Sequence, residues 1–153
     1  MVSPELLRRF TFFGGFSDEE LKQLAMAARE QVASANEILF TEGKHAHDLY
    51  FLAEGEVEIL NLGSGSNEGI ALSSLPAGEL LGWSAVIEPY IYTATARATR
   101  PSRVIVFAGA ELEKLMSDDH FSCLLIKKIA QVIGQRLKDT RIQLLSLFPQ
   151  RIV

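Results

Sequence analysis

Apolar positions at the start of the chain fall on helical spacing. Leu6, Leu7 and Phe10 share one face of a short segment over residues 3–10, where Pro4 suits a first turn. Ser17-x-x-Glu20 forms a capping box, and Phe16 with Leu21 occupies the flanking positions of a hydrophobic staple, so a helix over about 17–32 is expected. From Ile38 the period shortens to two. Runs of β type at Ile38–Thr41, Leu49–Leu52, Val57–Leu60, Ile70–Leu75, Thr93–Ala98 and Val104–Phe107 are separated by Gly, Pro, Asn and Ser, the rhythm of an antiparallel sandwich or barrel. The Gly/Ser-rich stretch from Asn61 to Gly69 suits a hairpin loop rather than a phosphate cradle, because neither a P-loop lysine nor a helical pattern accompanies it.

After Ala110 the helical period returns, first in a short segment to Met116. A long helix is then expected from the capping candidates Ser117 and Asp118 to about Phe148. Written as heptads, it places Cys123, Ala130, Leu137 and Leu144 at a, and Ile126, Ile133, Thr140 and Leu147 at d. Only Thr140 is polar. A second stripe of Phe121, Leu125, Ile129, Val132 and Leu145 lies beside this seam, so the helix is more apolar than one contact surface requires. The second stripe is expected to cover the barrel and the first to pair with another copy. The dimer seam would then comprise Ile126, Ala130, Ile133, Leu137, Thr140, Leu144 and Leu147. A helix of ~30 residues is ~45 Å long, about the width of the domain, so part of it should protrude unless paired. A helix lying wholly on its own barrel is the alternative.

The 153 residues make one domain of mainly β class with flanking helices: N-terminal helices over 1–35, a β-roll or jelly roll over 36–109 and C-terminal helices over 110–148. With 48% hydrophobic and 22% charged residues the chain can bury a core, which excludes disorder. Its apolar runs fall far short of the ~20 residues that span a bilayer, and Phe10 to Phe16 leads into Asp18-Glu19-Glu20 rather than a cleavage site. No membrane partner is expected, and a cytoplasmic location follows. The single cysteine, Cys123, excludes an intramolecular disulfide framework and a metal centre built on cysteines.

Charge is unevenly placed. Residues 127–153 carry six cations against Asp139, a net +5 in a chain of net −4, which leaves −9 on the rest. A basic end can bind nucleic acid, but cations near a helix C-terminus also suit its dipole, and a solvated helix face is the expected reading. Only eight residues follow Leu145, so no helix-turn-helix and no sequence-specific nucleic-acid partner are expected.

Catalysis finds little support. His45-x-His47 and Pro76-x-Gly78 evoke the cupins, yet Leu80 and Leu81 stand where a third histidine ligand should lie, and His120 falls in the helical region. Gly82-Trp83-Ser84 lacks the second glycine of a nucleophile elbow, Val86 standing there. A cupin-like metalloenzyme is therefore the least favoured class, and neither metal nor cofactor is expected.

Several segments together carry a resemblance: Phe13-Gly14-Gly15-Phe16-Ser17, Leu39-Phe40-Thr41-Glu42-Gly43, Asp48-Leu49-Tyr50-Phe51-Leu52, Gly55-Glu56-Val57-Glu58-Ile59, Pro76 to Val86 and Thr93-Ala94-Thr95. In order and spacing they resemble the cyclic-nucleotide-binding domain of the catabolite-activator and protein-kinase-A regulatory families. The resemblance implies a phosphate-binding cassette at Gly78-Glu79-Leu80-Leu81-Gly82-Trp83-Ser84-Ala85-Val86. Family members hold a glutamate for the ribose hydroxyl and an arginine for the cyclic phosphate. Here Trp83 occupies the glutamate position and Tyr92, ten residues after Gly82, the arginine position. Gly82, Ser84, Ala85 and Thr93 remain as a backbone cradle with hydroxyls, and an apolar, uncharged pocket is expected. Arg97 lies an odd number of residues from Tyr92 and should face away from it. Arg136-Leu137-Lys138-Asp139-Thr140 matches the family pattern Arg-Leu-x-x-Thr, whose threonine approaches the base, so Thr140 joins the candidate pocket. Two readings stay open: a regulatory domain that binds a different small molecule and signals through its long helix, or a ligand-free dimeric module that binds a partner protein.

Overall fold

The computed structural model describes residues 1–62 and 69–148. Residues 63–68, the tip of the expected Gly/Ser hairpin, lie outside the described residues, as do 149–153. Along the chain run α1 (Pro4–Arg8), α2 (Asp18–Ala27), β1 (Ala28–Ala33), β2 (Ile38–Phe40), β3 (Asp48–Glu54), β4 (Glu56–Asn61), β5 (Ile70–Pro76), β6 (Leu80–Leu81), β7 (Thr95–Ala98), β8 (Ser102–Ala108), α3 (Gly109–Leu115) and α4 (Asp119–Ser146), with single 3-10 turns at Thr11–Phe13 and Trp83–Ala85.

Local chemistry accounts for the helix starts. The Ser17 hydroxyl accepts from the Glu20 N–H at 3.1 Å while the Glu20 carboxylate accepts from the Ser17 N–H at 2.8 Å, a complete capping box. The Asp118 carboxylate accepts from the Phe121 N–H at 2.8 Å and starts α4, whereas the Ser117 hydroxyl donates back to the Lys114 carbonyl.

The helix expected over 17–32 stops at Ala27, and its last turns are instead a strand. β1 pairs antiparallel with β8 from Ala28↔Phe107 to Ala33↔Ser102. Val104 to Phe107 are fully buried, so the β8 backbone needs a neighbour on each side; β1 supplies one, and that demand overrides the helical preference of Ala, Arg, Glu and Gln. β6 is a second strand that spacing did not disclose.

Two antiparallel four-stranded sheets, ordered β1-β8-β3-β6 and β2-β7-β4-β5, enclose the core, and the expected β-roll with flanking helices is what forms. Phenylalanines from the N-terminal segment plug one end. Phe13 lies 4.8 Å from Phe51, Phe10 lies 5.7 Å from the same ring, and Phe16 meets Phe121 of α4 at 5.6 Å. Each buried aromatic stabilises the fold by about 1.5–3 kcal/mol, so this cluster fastens both terminal segments to the sheets.

α4 docks through Phe121, Leu125 and Ile129, all buried, with Val132 and Ile133 packed against the core behind them. Leu145, expected on the same stripe, is 69% exposed, because a helix of 28 residues outruns the sheets it lies on. Of the seam residues, Ile133 is half-buried, while Ile126, Ala130, Leu137, Thr140, Leu144 and Leu147 are exposed.

Candidate functional site

β6 ends at Leu81, and Gly82, with φ of +75°, turns the chain sharply into the Trp83–Ala85 turn. Buried Leu80 and Leu81 fix that strand, so the turn has a rigid base. A Cβ at residue 82 would meet the Asp48 carbonyl at 3.1 Å and the Tyr92 ring at 3.2 Å, so the backbone here lies directly against an aromatic wall.

Tyr92 builds that wall. Its ring stacks on Phe40 with centroids 4.1 Å apart and planes 16° from parallel. Its hydroxyl donates to the Asp48 carbonyl at 2.7 Å and accepts from the Asp48 N–H at 3.2 Å. Burial pushes the phenol up from its ordinary value, so it stays a neutral donor.

Beside the turn opens a cavity of about 120 Å³, lined by Gly82, Trp83, Ser84, Tyr92 and Thr93 of the expected set, and by Thr140 from α4. Ala85 turns away and lines a separate cavity with His45, His47 and Glu113. Phe40, Ile59, Leu72, Ser73 and Ala94, which were not among the expected pocket residues, complete the wall.

The expectation of an uncharged pocket is corrected by Arg136. This residue of α4 also lines the cavity, and its guanidinium carbon stands 5.4 Å over the Trp83 ring. Its Nη2 donates to the Leu80 carbonyl and, at 3.3 Å, to Glu79. Burial pulls the Arg136 pKa down and Glu79 opposes it; an arginine keeps its charge under these conditions. A cation has returned to the pocket, carried by the helix rather than by the cassette. Helical geometry gives the signal that could have disclosed it: Arg136 lies one turn before Thr140 and shares its face.

Arg97 pairs across the sheet with Glu58 at 2.8 Å and takes no part in lining the cavity. His45 and His47 lie edge to face, 4.4 Å apart, whereas His120 is engaged elsewhere with Glu20 at 3.0 Å. Glu20, Asp118 and His120 bring their ligand-type atoms within 4.8 Å of one another, but both carboxylates cap helices. Among the described residues no helix is long and apolar enough to cross a membrane.

The sequence profile of the cyclic nucleotide-binding domain matches residues 30–119. A crystal structure of a provisionally named cyclic nucleotide-binding protein from Geobacter metallireducens is 33% identical with a TM-score of 0.80, over 90% of this chain and 99% of that one. The catabolite activator protein of Thermus thermophilus superposes with a TM-score of 0.71 at 21% identity, over 95% of this chain and 63% of its own, which speaks for the fold alone. A provisionally named potassium channel protein of Rhodopseudomonas palustris is 26% identical over 89% of this chain. The chain spans about a third of that relative's length, 32%.

Proposed function

The chain belongs to the cyclic nucleotide-binding domain family, and from that premise we propose that it is a regulatory module sensing a small molecule other than a cyclic nucleotide and signalling through α4 as a homodimer. One observation carries the reading. Where the cassette of the family holds its glutamate and arginine, this chain has Trp83 and Tyr92, and the Tyr92 ring lies stacked and hydrogen-bonded against the cassette backbone. A cyclic phosphate would find no arginine there and would have to displace a ring that is 6% exposed.

Arg136 supports the coupling to the helix. It belongs to α4 yet lines the cavity and bonds the Leu80 carbonyl, so a ligand that reshapes the cavity acts directly on the helix. The exposed apolar seam supports the dimer. We read the module as non-catalytic and cytoplasmic; the relatives named above are a binding protein, an activator and a channel. A second reading, a partner-binding module without a ligand, is favoured by the way Phe40 and Tyr92 fill the cassette end of the pocket.

Loss of one member of a desolvated charge pair costs about 2–5 kcal/mol, and each ~1.4 kcal/mol is tenfold, so cyclic AMP and cyclic GMP should show no binding at micromolar concentration. The double change Trp83→Glu with Tyr92→Arg should raise the affinity measurably. Calorimetric titration of both proteins checks this, and micromolar binding by the unaltered protein overturns the reading.

A further inference from the structure

Resting on the reading that this cavity is a ligand site, we propose that its polarity is the reverse of the family's: the ligand is a small monocarboxylate with a flat apolar body, held with its charge towards α4. Among the described residues the Tyr92 side offers an anion no cation. Tyr92 and Phe40 crowd the backbone at Gly82, with a Cβ there reaching the two rings at 3.2 and 3.4 Å, and the one phenol in that wall is committed to the Asp48 backbone.

The α4 side, over Trp83, is prepared for an anion. The Arg136 side chain is only 17% exposed. Its hydrogen bonds to the Leu80 carbonyl and Glu79 both run from Nη2, so among the described residues Nε and Nη1 have no acceptor. A guanidinium is a planar fork of five N–H donors, and a sheltered arginine that lines a cavity with donors to spare is matched by a planar two-oxygen acceptor. Glu79 does not fill that role: its side chain is 43% exposed and meets Nη2 alone.

Because Arg136 already faces Glu79, the site tolerates little added negative charge. A single carboxylate adds one charge beside the guanidinium, whereas a phosphate dianion would add two in a cavity walled by Phe40, Ile59, Leu72 and the Trp83 ring. Those same groups suit the flat body. Thr140, whose hydroxyl donates to the Arg136 carbonyl, presents an oxygen acceptor at the charged end and so disfavours a neutral ligand less than an anion, which makes Arg136 the group on which selectivity rests.

Trp83 is the only tryptophan of the chain and lies under Arg136, so its fluorescence reports on this end of the cavity. Phenylacetate, its neutral analogue phenylacetamide, and cyclic AMP are titrated into the full chain and into Arg136→Gln. Phenylacetate should bind about ten- to a hundred-fold more tightly than the amide, and the substitution should erase that preference. Equal binding of acid and amide, or a preference that survives Arg136→Gln, overturns the reversed polarity while the ligand-site reading stands. Silence of both single-ring probes at millimolar concentration also overturns it, and cyclic AMP binding in their place sinks the underlying reading as well. Should Arg136→Gln not fold, the ratio of acid to amide in the unaltered protein still decides.

Discussion

Both halves of α4 carry large apolar residues, and their surroundings are opposite. Between Phe121 and Ile129 the large apolar residues facing the sheets are 1–2% exposed, whereas Leu137, Leu144 and Leu147 are 49%, 54% and 78% exposed. Burial of the first half is a property of one chain and contributes to folding at any concentration. Among the described residues nothing covers the second half, and its burial in a dimer would depend on concentration. Apolar periodicity reports that a stripe will be covered without reporting by what.

The largest effect should come from the docked half. Phe121→Ala removes a ring that meets Phe16 and is 2% exposed, and should cost about 3–5 kcal/mol. Differential scanning calorimetry should show the melting temperature falling by roughly 10 °C or more at any protein concentration. A loss under about 1 kcal/mol would mean that the docked half contributes little to the fold.

The protruding half should answer differently. Leu137→Asp alters a half-exposed side chain and should change the stability of the dilute monomer by no more than about 0.5 kcal/mol. In a paired seam the same carboxylate would lack a counter-charge, so light scattering at micromolar concentration should find a dimer converted to monomer. A monomeric unaltered protein, or a variant that stays dimeric, removes the dimer from the proposed function.

A smaller effect should appear at the start of the docked half, where His120 lies beside Glu20. Burial pushes the Glu20 carboxyl up, but the Ser17 N–H and the His120 ring pull it further down, leaving it below the ordinary 4.5. A carboxylate lowered in the folded state contributes stability that is fully present above its unfolded value and is lost as pH falls through the folded one. Glu20→Gln should therefore reduce the drop in urea midpoint between pH 7 and pH 3. An unchanged drop would show that this clasp adds nothing to acid sensitivity.

Most of the fold was legible because its signals are local. The capping box at Ser17 and the cap at Asp118 mark helix starts, and the alternating runs mark six of the strands to within two residues. β1 was not legible, since Ala28 to Ala33 has a helical composition and becomes a strand only because β8, some seventy residues on, needs an edge. The cassette half of the pocket could be read from the replaced positions Trp83 and Tyr92. Arg136 was legible only through Thr140, one turn further along α4; its position over Trp83 depends on how α4 docks, a relation between positions 53 apart.

The pairing of β1 with β8 also sets the order in which the chain can be finished. Ala28 bonds in register with Phe107, so the first sheet has no completed edge until most of the polypeptide has left the ribosome. Closing so long a loop makes folding slow compared with a helical bundle of the same size. During synthesis Phe10, Phe13 and Phe16 must wait for Phe51, Phe107 and Phe121, and until then they form a sticky surface of the kind that chaperones shield. The aromatic plug that fastens the finished domain is thus its point of greatest exposure while it is being made.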